Sequence, residues 1–242
     1  MDYITNKTGR IIPLKILSGP DQMALDVLLL EESINRKDFL ACFRLYKWDG
    51  IWLSIGKNQN VIPNGWKRLC ENNKLNIVRR PTGGSAVLHG GGITYSIVLP
   101  YKNALKRYSY NQQCQWLIKS FKELGVSLKF GSEAQESESK NCFRSSTKAD
   151  LIDSNGNKIV GSAQLWRKKH LLQHGEILIT PPKDLWEEIF DIPPPKVNKK
   201  ILSIDNLDDL LFQNFISYYS DINWKIIDLG NEEIRQISKK AK

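Results

Sequence analysis

The chain has no apolar run near the roughly 20 residues that a membrane-spanning helix requires. No membrane partner is therefore expected. Its opening residues, Met1 to Arg10, are polar and lack the apolar centre of a secretion signal. The expected location is the cytoplasm or an equally reducing compartment. Cysteine is scarce, at four residues: Cys42, Cys70, Cys114 and Cys142. Their spacing fits neither a zinc motif nor a disulfide framework, so no metal site is expected. Taken by position alone, each reads as a small buried apolar residue. There is no internal repeat. Recognition-helix and RNP-like motifs are also missing, which argues against nucleic acid as a partner. The net charge of +9 and the pI of 9.3 come from scattered lysines. Such a surface serves equally well to meet an acidic protein.

What is present suffices for one large domain. The 242 residues are 41% hydrophobic and include seven tryptophans, enough for a sizeable core. Five of the sixteen glycines fall between Gly83 and Gly92. They sit in the stretch Arg79-Arg80-Pro81-Thr82-Gly83-Gly84-Ser85-Ala86-Val87-Leu88-His89-Gly90-Gly91-Gly92-Ile93-Thr94-Tyr95-Ser96. Glycines let backbone N–H groups approach a ligand closely. Ala86 to Leu88 reads as a short strand. In the next strand Ile93, Tyr95 and Ile97 share one face, and Thr94, Ser96 and Val98 share the other. The pattern describes a glycine-lined floor with cationic or polar groups at its mouth, suited to a ligand with an anionic or carbonyl head and a long apolar tail. Glycine clusters also mark plain turns, and arginine pairs also sit on solvated faces.

Around this block the pattern predicts a mixed α/β chain. Strands are expected at Ile11 to Leu17, Cys42 to Trp48, Ile51 to Gly56 and Ile77-Val78, with Asp49-Gly50 turning a hairpin between the second and third. Helices are expected from near Gly19-Pro20-Asp21 to about Ser33, with Asp21 as N-cap, from Trp66 to Asn72, and from Asn111 to Leu124, which Gly125 ends. Val126 to Phe130 reads as a strand, and Gly131 to Asn141 as a polar, mobile loop. Ala149 to Asp153 and Lys158 to Trp166 make a hairpin around a type I′ turn at Asn155-Gly156. A strand from Leu171 to Ile179 follows. Asp184 to Phe190 and Leu207 to Tyr218 read as helices, Trp224 to Asp228 as a strand, and the lysine-rich tail as a fraying helix. The core is expected at about 11–190, with 200–242 packed on it.

The second informative block runs from Asn141-Cys142-Phe143 through Lys158-Ile159-Val160-Gly161-Ser162-Ala163-Gln164 to Leu172-Gln173-His174-Gly175. Lys158 opens a strand after a tight turn. It points into the glycine-floored site if the two strand pairs pack together. By position alone it reads equally as a solvated lysine.

The two blocks together resemble the biotin/lipoate protein ligase superfamily. Arg-Arg-x-Thr-Gly-Gly-x-Ala-Val-x-His and Lys-Ile-x-Gly-Ser-Ala are similar to its signatures. Leu-Gln-His-Gly with the preceding Cys-Phe looks most like its cysteine-type octanoyl transferases and lipoyl amidotransferases. The loop from Gly56 to Asn60 resembles the Gly-x-x-Gln element that lies near the ligand.

The resemblance implies an α/β fold of the class II aminoacyl-tRNA synthetase-like type, whose mixed sheet wraps an acyl tunnel. It implies Cys142 as a nucleophile that takes an acyl group from an acyl carrier protein as a thioester. It implies Lys158 as the charge that activates the thiol and polarises the carbonyl, and as a proton acceptor if burial permits. Arg80, Thr82, Gly83, Gly84, Ser85, His89, Gly161, Ser162, Ala163 and His174 are the implied substrate-binding residues, with His89 near the mouth. Val87, Leu88, Tyr95 and Leu172 are the expected tail walls. The implied donor is octanoyl-acyl carrier protein. The implied acceptor is a lipoyl domain or a glycine-cleavage H-type protein. No cofactor is implied for transfer. ATP and Mg belong to the alternative, a lipoate–protein ligase. Ser85 in place of a third glycine, Gly90-Gly91-Gly92 in place of an acidic residue after the histidine, and the lack of an accessory C-terminal domain all favour transfer. The Gly-Arg-Gly-Arg loop of a biotin ligase is missing. A non-catalytic protein that holds acyl carrier protein or nucleic acid on this scaffold is the alternative of another class.

Overall fold

The structure is a computed structural model and describes residues 8–35, 39–101, 106–131 and 150–241. The first half of the chain contains β1 (Thr8–Leu17), α1 (Gly19–Asn35), β2 (Phe39–Trp48), β3 (Trp52–Ile55), α2 (Asn64–Glu71), β4 (Asn76–Arg79), β5 (Val87–His89) and β6 (Gly92–Pro100). Next come α3 (Lys106–Glu123), β7 (Lys129–Phe130), β8 (Leu151–Ile152), β9 (Lys158–Arg167) and β10 (His170–Leu178). The last elements are α4 (Lys183–Phe190), α5 (Lys199–Leu202), α6 (Leu207–Tyr218), β11 (Asn223–Ile226) and α7 (Asn231–Lys240).

Among the described residues the strands form a mixed eight-stranded sheet, in the order β11-β1-β2-β6-β10-β9-β8-β7, and a three-stranded sheet, β4-β3-β5. β6 and β10 lie at the centre of the large sheet, and nearly every residue in them is buried. The alternation read in β6 holds. Ile93, Tyr95 and Ile97 enter a core with Trp116 and Phe121 of α3 and Leu211 and Phe215 of α6. Phe43 of β2 stacks on Phe215, with ring centroids 3.5 Å apart. On the opposite face, Val98 and Leu172 pack against Leu25, Leu28 and Leu29 of α1. The small sheet has its own core, in which Leu53, Ile55 and Leu88 meet Trp66 and Leu69 of α2 and Trp186 of α4. β11 extends the large sheet beside β1, and α7 packs on α1. No helix among the described residues is long and apolar enough to cross a membrane.

Four local expectations change. Asp49-Gly50 does not close a hairpin, because β2 already has β1 on one edge and β6 on the other. β3 therefore leaves for the second sheet and pairs with β4 and β5. Ser18, not Asp21, supplies the capping oxygen of α1. Its hydroxyl accepts the Asp21 N–H at 3.3 Å and donates to the Asp21 carboxylate at 2.6 Å. The hairpin between β8 and β9 forms, but around a wider turn. Gly156 N–H donates to the Asp153 carbonyl, and only Gly156 there takes a positive φ, of 82°. A type I′ turn needs positive φ at two positions. The strand expected from Val126 is shortened to β7. The proposed loop from Gly131 to Asn141 lies, beyond Gly131 itself, outside the described residues.

Candidate active site

A cavity opens where the small sheet, the large sheet and α1 meet. It encloses about 480 Å³ of space between protein atoms, part of it open to solvent. Gly83, Gly84, Val87 and His89 line it from the small-sheet side, with Met23 from α1. Lys158, Gly161, Ser162 and Ala163 line it from β9, and His174, Gly175 and Glu176 from β10. The glycine segment and the lysine segment thus face the same space. Gly90 and Gly91, with φ of 130° and 123°, turn the chain from β5 in one sheet to β6 in the other. The loop after β3 abuts the floor. A Cβ on Gly56 would lie 1.8 Å from the Gly84 carbonyl oxygen, so only glycine fits there.

Arg80 lines the cavity, and Arg79 lies outside its lining. Arg80 is buried, at 5% exposure. Its guanidinium donates to the carbonyls of Ser54 (2.8 Å), Gly83 (2.6 Å) and Ser85 (2.8 Å). Arg79 donates to the carbonyls of Gly56, Lys57 and Gln59. Arg80 therefore braces the glycine turn from within, because its carbonyls need donors, and the exposed Arg79 holds the loop after β3 from the surface.

Two histidines line the cavity, and each is held between a carboxylate and a hydroxyl. His174 meets Asp26 through Nδ1 (2.7 Å) and Thr82 through Nε2 (2.7 Å). Asp26 also accepts Nε and Nη2 of Arg44 (3.1 and 2.6 Å), and Arg44 caps the Tyr46 ring at 4.0 Å. Burial alone would raise the Asp26 carboxyl, but the Arg44 charge and the His174 hydrogen bond outweigh it and bring it down to about 2. His89 meets Glu176 through Nδ1 (2.8 Å) and Ser54 through Nε2 (2.8 Å), and stacks on Trp48 at 4.0 Å. Burial pushes the His89 imidazole below its ordinary value, and Glu176 offsets this only in part. The ring is therefore neutral at pH 7.

Lys158 opens β9 and is nearly fully buried. Its Nζ lies 2.9 Å from Oδ2 of Asp150, which lines the same cavity. β8 pairs with β9 only as far as Val160. From Gly161 onward the outer edge of β9 carries no strand among the described residues, which leaves backbone N–H groups beside the cavity. Met23, Tyr46, Trp48 and Val87 add apolar surface to the lining. The site thus combines a buried cation, a glycine floor and apolar walls.

The lipoyl protein ligase A/B catalytic domain family matches residues 18–214. The chain belongs to that family. Among curated relatives it is 36% identical to the octanoyltransferase LipM of Carboxydothermus hydrogenoformans, over 72% of this chain and 65% of that protein. It is 32% identical to the octanoyltransferase LipM of Brevibacillus brevis, over 80% of this chain and 74% of that protein. Among solved structures, a bi-partite lipoate protein ligase from Thermoplasma acidophilum superposes with a TM-score of 0.76 at 16% identity, covering 97% of this chain and 92% of that one. This likeness shows that the fold is that of the family.

Within the family fold, the expected binding residues divide into those that face the cavity and those that support it. Gly83, Gly84, Gly161, Ser162, Ala163 and His174 face it as expected. His89 faces it too, but from a buried position against Trp48 rather than from the mouth, because Glu176 and Ser54 satisfy both ring nitrogens there. Thr82 supports it from behind through His174. Ser85 contributes a carbonyl to Arg80 rather than a wall. Of the expected tail walls only Val87 lines the space. Leu88 points into the small-sheet core, Leu172 against α1, and Tyr95 toward α3, where its hydroxyl meets Ser162 at 2.7 Å. Cys142 lies outside the described residues.

Asp26, Arg44, Ser54, Asp150 and Glu176 were not anticipated. Asp26, Arg44 and Glu176 share one sequence signal, a lone charge inside an apolar run: Met-Ala-Leu-Asp-Val-Leu, Cys-Phe-Arg-Leu-Tyr and His-Gly-Glu-Ile-Leu. A charge buried in such a run must find a partner. The sequence does not say which.

Proposed function

We propose that this chain is an acyltransferase that moves an octanoyl group from a carrier-protein thioester to Cys142 and then to a lysine of a lipoyl-domain or H-type acceptor. The reading rests on one observation: the Lys158 ammonium and the Gly83-Gly84 floor line one cavity that also has apolar walls. Its relatives named octanoyltransferase support it.

In the first step the Cys142 thiolate attacks the donor carbonyl. A new C–S bond forms, and the carrier thiolate leaves. In the second, the acceptor amine attacks the acyl-enzyme, an amide forms, the Cys142 sulfur leaves, and the amine proton replaces the one lost from the thiol. Exchange between thioesters is nearly balanced and amide formation is downhill, so no nucleotide is required. With a carboxylate at 2.9 Å, Lys158 acts here as a positive charge beside the developing oxyanion. The N–H groups of the Gly161 to Ala163 edge are the remaining donors. Burying an eight-carbon tail at ~0.8 kcal/mol per CH₂ gives on the order of 5 kcal/mol before ordering costs, enough to select an acyl chain.

The three described cysteines are poor rivals for the nucleophile. Burial pushes the Cys42 thiol up to about 12 and the Cys114 thiol up to about 11. Cys70 lies on α2 outside the cavity, and burial raises its thiol as well. The +9 charge suits acidic donor and acceptor proteins.

The test is incubation with octanoyl carrier protein and an apo lipoyl domain, with and without ATP, read by intact-protein mass spectrometry. The expected result is an octanoyl adduct on Cys142 and ATP-independent modification of the acceptor. Modification only with ATP, or full activity in Cys142→Ala, overturns the reading.

A further inference from the structure

Glu176 lies on β10 opposite Thr94 of β6 and Gly161 of β9, and is 3% exposed. Its Oε2 accepts from Nδ1 of His89 and from the Thr94 hydroxyl. Thr94 in turn accepts the indole N–H of Trp48 at 2.8 Å, and Trp48 lies flat on His89. The imidazole is thus fixed in its plane as well as at both nitrogens. Beyond it, Ser54 Oγ meets Nε2 at 2.8 Å and accepts from Nη1 of Arg80 at 3.3 Å. Arg80 holds the carbonyls of Gly83 and Ser85. A continuous chain of hydrogen bonds therefore runs from the Glu176 carboxylate to the floor of the cavity.

Two further features mark this carboxylate as built into the site. His89 is followed by Gly90-Gly91-Gly92, so its own segment offers no acid. Glu176 also packs directly on the glycine segment: a Cβ on Gly92 would lie 2.1 Å from Oε1 and 2.5 Å from the Ile177 carbonyl oxygen.

We propose that Glu176 is the positioning residue of the glycine loop, acting through His89, Ser54 and Arg80 on the shape of the cavity floor. The mechanism is one of donor and acceptor polarity. A carboxylate only accepts, so it fixes the ring proton on Nδ1. Nε2 is then an acceptor, and the Ser54 hydroxyl must donate to it. The Ser54 lone pairs are left to face the Arg80 N–H. Without Glu176 the ring is free to carry its proton on Nε2. The Ser54 oxygen would then accept from both Nε2 and Arg80, its own hydrogen would lose its buried acceptor, and the brace on Gly83 and Ser85 would loosen as the hydroxyl shifts to find another. That this floor carries an acyl chain rests on the function proposed above. The polarity of the chain does not.

The test uses the full chain labelled with ¹⁵N-histidine. The His89 signal is assigned against His170 and His174, and the variants are Glu176→Ala, Glu176→Gln and Ser54→Ala. Wild type is expected to show the neutral Nδ1–H tautomer. Glu176→Ala should shift His89 toward Nε2–H and raise KM for the octanoyl donor about tenfold or more, the scale of one unmatched buried hydrogen bond. Its kcat should change by less than about threefold. Glu176→Gln keeps an acceptor oxygen and should restore both the tautomer and KM. Ser54→Ala should raise KM with the Nδ1–H tautomer intact. An unshifted tautomer in Glu176→Ala overturns the proposal, as does an unchanged KM in Ser54→Ala. If Glu176→Ala does not fold, the Glu176→Gln and Ser54→Ala results decide it. If wild type transfers no acyl group, the function proposed above fails, while the tautomer data still decide the role of Glu176.

Discussion

Nδ1 of His174 lies 2.7 Å from Oδ2 of Asp26, a buried carboxylate between Leu25 and Val27 in the middle of α1. Asp26 has no exposed surface, and its charge is balanced by Arg44, which is also buried. Removing one member leaves an uncompensated charge in the interior. Asp26→Ala is therefore expected to lower unfolding stability by about 3–5 kcal/mol, and replacing Asp26 and Arg44 together by leucine and methionine should cost far less. Urea unfolding of the single and double variants checks this. Equal losses in both would contradict it.

Stability should also fall as the solution is acidified below neutrality. The His89 imidazole sits below its ordinary value of 6.5 in the folded chain, through burial first. The unfolded chain therefore binds a proton that the folded chain refuses. This contribution is complete above pH 6.5 and is lost as pH falls toward the depressed folded value. The Asp26 carboxyl, at about 2 against an ordinary 3.8, adds a contribution lost only at much lower pH. Unfolding free energies measured between pH 5 and 8 should rise with pH, and His89→Gln should flatten the curve. A flat wild-type curve would contradict the assignment.

Lys158 and Asp150 form the ion pair that faces the glycine floor. Lys158→Ala should lower kcat for acyl transfer by about 10²–10³, the scale of one lost donor to a developing oxyanion. Lys158→Arg should not rescue it, because a planar guanidinium does not fit the space of a buried ammonium. Single-turnover transfer to an apo lipoyl domain is the measurement. A rate within twofold of wild type in Lys158→Ala would remove the lysine from the mechanism.

Trp48 is one of the apolar walls of the cavity, and its ring is held by Thr94 and His89. Trp48→Ala should lengthen the accepted tail and shift the ratio of kcat/KM for dodecanoyl over octanoyl donors by about 10–100-fold. A preference unchanged from wild type would mean that the tail lies elsewhere.

Thiol reactivity gives a simple check on the nucleophile. With thiols at about 12 and about 11, Cys42 and Cys114 should resist iodoacetamide at pH 7.5 in the native chain. Peptide mapping should find label on Cys142 first. Rapid labelling of Cys114 would reopen the assignment.

The legible parts of this protein were those set by neighbours in sequence. Ile93 to Val98 alternates because a strand has a period of two, and α6 was read with its observed limits. Gly83-Gly84 and Lys158 were read separately, and both reach one cavity. Local rules failed where an edge or a partner decided the outcome. Asp49-Gly50 carries a hairpin signal, yet β2 had no free edge for β3 to join. Arg79 and Arg80 look alike in sequence, yet Arg79 stays exposed on the loop after β3 while Arg80 is buried and gives its donors to the carbonyls of the glycine turn.

By itself, the sequence determined the family, the glycine segment and the lysine segment, because each is carried by residues adjacent in the chain; packing decided that the two line one cavity. Tertiary structure alone decided that His89 belongs to Glu176 and His174 to Asp26, pairs 87 and 148 positions apart. A buried charge must be neutralised by whatever the packing brings within about 3 Å, and no local pattern records which residue that is.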